Sequence, residues 1–242
     1  MTIAVAQFLS GNGTNNDNKV AVSGTFTAGN TLVVVAGCGS SQTATGGTGG
    51  SNTYSAVSGA TTVNTYWTQR LTAYIAANIS GGSYSPQINF SANTQYPSIW
   101  LWELSDAATS QSEPGSANYQ ASPSSTSTDG ITSGTASLAA SVGMILGLQY
   151  GGGTVAQGTS FTNDAFGSSA GGGSGFAASW VAEHRRVTAS GSYAATFTNY
   201  SSGDSISSYL ILVDESVPSA AKFRKSLSPI GGRVGARQIQ LR

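Results

Sequence analysis

Gly82-Ser83-Tyr84 followed by Ile88-Asn89-Phe90 recurs later in the chain as Gly191-Ser192-Tyr193 followed by Ala195-Thr196-Phe197. Working outward, the recurrence extends to whole strands. The apolar run Thr31-Leu32-Val33-Val34-Val35-Ala36-Gly37 is answered by Val142-Gly143-Met144-Ile145-Leu146-Gly147-Leu148, and Ala73-Tyr74-Ile75-Ala76 by Ala178-Ser179-Trp180-Val181-Ala182. Each copy closes on an apolar strand that ends in acid: Ile99-Trp100-Leu101-Trp102-Glu103-Leu104-Ser105-Asp106, then Tyr209-Leu210-Ile211-Leu212-Val213-Asp214-Glu215. An offset of roughly 105–112 residues throughout suits an internal duplication of similar strand order, not a short-period solenoid.

The composition selects strands. Charged residues are 8% of the 242, glycines number 32, and Ser, Thr and Asn fill most other polar positions. Such a chain lacks the Glu/Lys/Arg/Leu segments of exposed helices and favours strands joined by Gly/Ser/Asn turns. Val20–Phe26 and Tyr84–Phe90 alternate like half-buried antiparallel strands, while Leu32–Cys38 and Met144–Leu148 are continuous and suit the core of a sandwich. Turns are expected at Ser10–Asn18, Gly46–Asn52, Gly81-Gly82, Gly151–Gly153 and Gly171–Gly175, where Gly and Asn cluster. These readings predict an all-β fold, a jelly-roll-like antiparallel β-sandwich over residues 1–215. Its halves cover about 1–106 and 136–215, joined by a crossover rich in Ser, Thr, Pro and Gly. Pattern alone leaves open whether the halves interleave into one sandwich or form two.

Charge divides the chain differently. In residues 1–221, Lys19, Arg70, Arg185 and Arg186 stand against all ten carboxylates, a net −6, and the last 21 residues restore +6 with six bases and no acid. Residues 216–242 read as an extended basic docking tail, with too little apolar surface to fold alone. Its cations are Lys222, Arg224, Lys225, Arg233, Arg237 and Arg242, interleaved with the apolar anchors Phe223, Leu227, Ile230, Val234, Ile239 and Leu241. Six charges among six apolar residues suit a protein groove, and a −6 body repels polyanions, which argues against nucleic acid as the partner.

The signals for chemistry are sparse. His184 is the one histidine and sits in Glu183-His184-Arg185-Arg186, but adjacent strand residues point to opposite faces, so Glu183 is poorly placed to orient it. No Gly-x-Ser-x-Gly elbow appears, and Gly172-Gly173-Ser174-Gly175 reads as a loop. Glu103 with Asp106 and Asp214 with Glu215 have the composition of a glycosidase pair, yet each reads more simply as a buried strand emerging into solvent. Asn15-Asn16-Asp17-Asn18 lacks the carboxylates of a calcium loop, and Gly46–Gly50 lacks the lysine and helix of a phosphate loop, so no metal or cofactor is expected. Cys38, unpaired within an apolar run, reads as a buried small hydrophobe.

Trp67, Trp100, Trp102 and Trp180 are candidates for a sugar-stacking platform. However, Trp100 and Trp102 share one face of a strand whose other face carries Ile99 and Leu101, and a strand apolar on both faces belongs in a core or interface. The N-terminus has no positively charged segment ahead of an apolar run, which predicts no secretory signal, and no stretch of 18 apolar residues exists to span a membrane.

Taken together, Gly29-Asn30-Thr31-Leu32-Val33-Val34-Val35, then Tyr74-Ile75-Ala76-Ala77-Asn78-Ile79-Ser80-Gly81-Gly82, the strand to Phe90 and the close at Glu103-Leu104-Ser105 resemble a β-sandwich domain recurrent in structural proteins of tailed-phage virions. The resemblance covers about residues 29–106 and, more weakly, 141–215. It implies a virion component made in the host cytoplasm, a capsid decoration protein or a tail or fibre component, with no catalytic residues. Its partners would be other virion proteins and copies of itself. The alternative, from a different class, is a carbohydrate-binding, lectin-like module for host-surface glycans.

Overall fold

The computed structural model describes residues 2–14, 16–39, 42–64, 69–111, 115–120, 131–140, 142–151, 156–170, 177–198 and 206–216. The basic tail from Lys222 to Arg242, Trp67 and Gly171–Gly175 lie outside the described residues. The first half contributes β1 (Ala4–Asn12), β2 (Asp17–Ala21), β3 (Gly24–Phe26), β4 (Thr31–Gly39), β5 (Ala44–Thr48), β6 (Ser55–Asn64), β7 (Gln69–Ala76), β8 (Gly82–Tyr84) and β9 (Gln87–Ser105). The second contributes β10 (Gly115–Gln120), β11 (Ile131–Thr132), β12 (Ala136–Leu138), β13 (Gly143–Gly151), β14 (Ala156–Gln157), β15 (Thr162–Ala170), β16 (Ala177–Val187), β17 (Gly191–Tyr193), β18 (Thr196–Thr198) and β19 (Ile206–Asp214).

Every pairing is antiparallel, and the two halves repeat one topology. The main sheet of the first half runs β1-β9-β4-β7-β6 and that of the second β10-β19-β13-β16-β15. Around them the small pairings also correspond: β2 and β5 on β9 match β11 and β14 on β18, and β3-β8 matches β12-β17. In the first half Gln87–Ser105 runs unbroken, pairing with β2 and β5 at its start and with β1 and β4 at its end. In the second half β18 and β19 hold the corresponding places, with residues 199–205 between them outside the described residues. A strand that changes sheets in this way makes the corner of a sandwich.

The duplication thus yields two sandwiches stacked on one another, not an interleaved one. Val33, Val35, Leu71, Ala73, Trp100, Trp102 and Leu104 of the first main sheet meet Met144, Leu146, Leu148, Tyr150, Trp180, Ala182, Ile211 and Val213 of the second in a shared core. The opposite face of the first sheet packs Leu32, Val34, Ala36, Cys38, Ile99 and Leu101 under Val20, Phe26, Ile79, Ile88 and Phe90. The opposite face of the second packs Ile145, Val181, Leu210 and Leu212 under Leu138, Ala195 and Phe197. Being covered on both sides explains why β4 and β13 are apolar without alternation.

The stack has two-fold character. β1 contacts β15, while β6, the counterpart of β15, contacts β10, the counterpart of β1. Just past the last strand of each half, Ala107 pairs with Glu215 across an isolated antiparallel bridge. There the Ala108 N–H donates to the Asp214 carbonyl at 2.9 Å and the Ser216 N–H donates to the Asp106 carbonyl at 2.8 Å. Such a reciprocal exchange marks an isologous contact, here made within one chain.

Several local expectations are corrected. Val20–Phe26 is two short strands, and Tyr84–Phe90 is interrupted at Pro86, which has no N–H for the ladder; its carbonyl instead accepts the Val22 N–H at 3.1 Å. Gly46 and Gly47 lie inside β5, at a bulge against β9; Gly46 has φ +151°, and a Cβ on Gly47 would fall 2.7 Å from the Tyr54 ring. The stretch read as a crossover holds β10 and β11, which pair with β19 and β18 of the second half. Gly115-Ser-Ala-Asn-Tyr-Gln pairs through its backbone with β19 and carries little β-branched signal to announce it.

Candidate functional site

Trp102 places the three aromatic candidates. It lies on the shared-core face of β9, fully buried; Phe8 meets it edge-on with ring centroids 5.1 Å apart, and Trp100 packs edge-on against Tyr150 at 5.1 Å and Trp180 at 6.2 Å. Trp100, Trp102 and Trp180 therefore form no sugar-stacking platform, because stacking the two halves consumes their faces. The large apolar side chain exposed among the described residues is Phe166 on edge strand β15.

The indole of Trp102 leads to an ionisable pair at the edge of the shared core. Its N–H donates to Asp164 Oδ2 at 2.8 Å, and Asp164 Oδ1 lies 2.6 Å from His184 Nδ1. Asp164 reaches inward because β15 is bulged between Asn163 and Ala165, which turns an extra side chain toward the partner sheet. Asp164 is buried and His184 is about one-fifth exposed. With its Nδ1 against a carboxylate, the imidazole is oriented as a base would be. Among the described residues, however, no hydroxyl or thiol hydrogen-bonds to it, so the arrangement orients a histidine without a nucleophile. Sequence reasoning missed Asp164, since Thr162-Asn163-Asp164-Ala165 carries no mark of its partner twenty residues on.

The run around His184 alternates between the two faces of β16. Glu183 turns to the outer face, fully buried, where its Oε2 accepts the Gly158 N–H at 2.8 Å. Burial pushes its carboxyl up to about 8, with the nearby Asp164 charge adding and the Gly158 and Thr196 amides opposing. Arg185 lies over the Phe161 ring, 5.8 Å from its centroid. Arg186 binds Glu215 with Nη2 to Oε2 at 2.7 Å and Nε to Oε2 at 2.8 Å.

Glu103 corrects the reading of strand-end carboxylates. It is 2% exposed and does not emerge into solvent. Its Oε1 accepts the Thr27 N–H and the Asn30 Nδ2, each at 2.7 Å, and its Oε2 accepts Gln7 Nε2. It clamps the turn between β3 and β4 to β1. A carboxylate so fully engaged holds structure, and it is not paired with Asp106, whose backbone serves the bridge to Ser216.

The remaining candidates fall into place. Cys38 is buried, its Sγ donating to the Gln42 carbonyl at 3.4 Å, and burial raises its thiol. Asp17 accepts the backbone N–H and the hydroxyl of Thr14, closing its own loop. Among the described residues no group of three or more His, Cys, Asp or Glu is arranged to hold a metal ion, and no helix is long and apolar enough to cross a membrane. Comparison with protein-family models, with curated proteins and with solved structures gave no match.

Proposed function

We propose that this protein is a non-enzymatic structural component of a tailed-phage virion, a capsid decoration protein or a tail or fibre component, that attaches through its basic C-terminal tail. The observation that carries the reading is the use to which the ionisable side chains of the body are put. Glu103 clamps a turn, Asp164 ties the two halves together, and Arg186 with Glu215 braces the end of β19 beside the two-fold bridge. Among the described residues these ionisable side chains hold the body together, which suits a building block.

The tail supplies the attachment. Residues 1–221 carry −6 and the last 21 residues +6, so the body of one copy is the electrostatic complement of the tail of another. The partner that this complementarity favours is a neighbouring copy of the chain, with Phe223, Leu227, Ile230, Val234, Ile239 and Leu241 as anchors between the cations. Deleting residues 217–242 should abolish assembly while the far-ultraviolet circular dichroism of the body stays unchanged. Assembly that survives the deletion would refute the reading. A saturable ligand on a glycan array would point instead to a carbohydrate-binding module.

A further inference from the structure

The duplication builds the same sheet face twice, which exposes a difference between the halves. On the outer face of the first main sheet β4 presents Leu32, Val34, Ala36 and Cys38, all apolar and buried. On the matching face of the second, β13 presents Ile145, Gly147 and Gln149, and β16 presents Val181 and Glu183. Gln149 and Glu183 are both 0% exposed.

Register puts the two polar residues together. Gly147 lies opposite Glu183 and Gln149 opposite Val181, so Gln149 and Glu183 are diagonal neighbours on one face, roughly 7–8 Å apart at the backbone. The glycine between them is what lets the carboxyl lie there, since a Cβ on Gly147 would sit 2.7 Å from Glu183 Oε1 and 2.8 Å from its Cγ. Glu183 Oε2 is satisfied by Gly158, but Glu183 Oε1 and both Oε1 and Nε2 of Gln149 are buried with no hydrogen-bond partner from the protein. Buried polar atoms almost always find a partner, because leaving one unmade costs its full desolvation.

The chemistry of the three atoms selects that partner. Nε2 is a donor and needs an acceptor, which a metal cation cannot supply. Gln149 Oε1 is an acceptor, so an anion is repelled too. A ligand that both donates and accepts, and that is small enough for a closed interior, is water.

We infer that Gln149 and Glu183 enclose an internal hydration site of one or two waters, accepting from Gln149 Nε2, donating to Gln149 Oε1 and hydrogen-bonded to Glu183 Oε1. The site bridges β13 to β16 through hydrogen bonds that the side chains do not make directly. A high-resolution crystal structure of the full-length chain should place ordered water within hydrogen-bond distance of Gln149 Nε2 and of Glu183 Oε1. In solution, the Gln149 side-chain amide should show a nuclear Overhauser contact to long-lived water. In the Gln149→Leu variant that contact is lost with its amide, while the backbone amide spectrum keeps the dispersion of the fold. Density without water at the site, a direct Gln149 to Glu183 hydrogen bond, or a Gln149 amide without a water contact would overturn the inference.

Discussion

The indole N–H of Trp102 donates to Oδ2 of Asp164 at 2.8 Å, and the two residues belong to different halves of the duplicated fold. Asp164 thereby joins the first half, through Trp102, to His184 of the second. Asp164→Ala would leave the buried indole N–H without its acceptor, which costs about 1–3 kcal/mol. Trp102→Phe removes the same bond from the other side. In a double-mutant cycle by urea denaturation, the two changes should fall short of additivity by at least about 0.5 kcal/mol. Strict additivity would mean that the bond does not couple the halves.

Glu103→Gln tests the buried clamp. The replacement amide sets its own N–H groups against donors from Thr27, Asn30 or Gln7, which all point at the present carboxylate. The expected loss is about 1–3 kcal/mol of stability, with faster hydrogen exchange at the Thr27 amide. A variant as stable as the parent would show that the carboxylate is dispensable there.

Glu183 sets a pH dependence whose sign follows from its environment. Burial raises its carboxyl from the usual 4.5 to about 8 in the folded chain, so folding favours the neutral acid. That contribution is full below about 4.5, declines as the pH rises, and is lost as the pH passes through about 8. The slope is at most about 1.4 kcal/mol per pH unit. Urea midpoints measured from pH 4 to 9 should fall toward the alkaline end. Glu183→Gln, which keeps an acceptor for the Gly158 N–H, should flatten that dependence and be the more stable protein at pH 9. Equal pH profiles for parent and variant would contradict the assignment.

How far these features are legible in the sequence depends on whether they are local. The unbroken apolar runs of β4 and β13 announce strands covered on both faces, and Ile99-Trp100-Leu101-Trp102 announces burial on both sides, as the shared core bears out. The duplication is legible because equivalent strands keep similar apolar patterns. What escapes is set by contacts distant along the chain. Glu103 at a strand end looks solvent-bound until Thr27 and Asn30 supply its donors from more than 70 residues away. Asp164 gives no sign that a bulge will turn it toward Trp102. β10 is held by its backbone ladder to β19, and nothing in Gly115–Gln120 resembles the apolar strands around it. Gly147 reads as one residue of a continuous core strand, and nothing local shows that it leaves the space that the buried Glu183 fills.

Light scattering after gel filtration of the full-length chain and of a 1–216 truncation tests the proposed role of the tail most directly. The expected result is a defined oligomer for the full-length chain and the mass of a single folded chain for the truncation. A truncation that keeps the mass of the full-length protein would contradict attachment through residues 217–242.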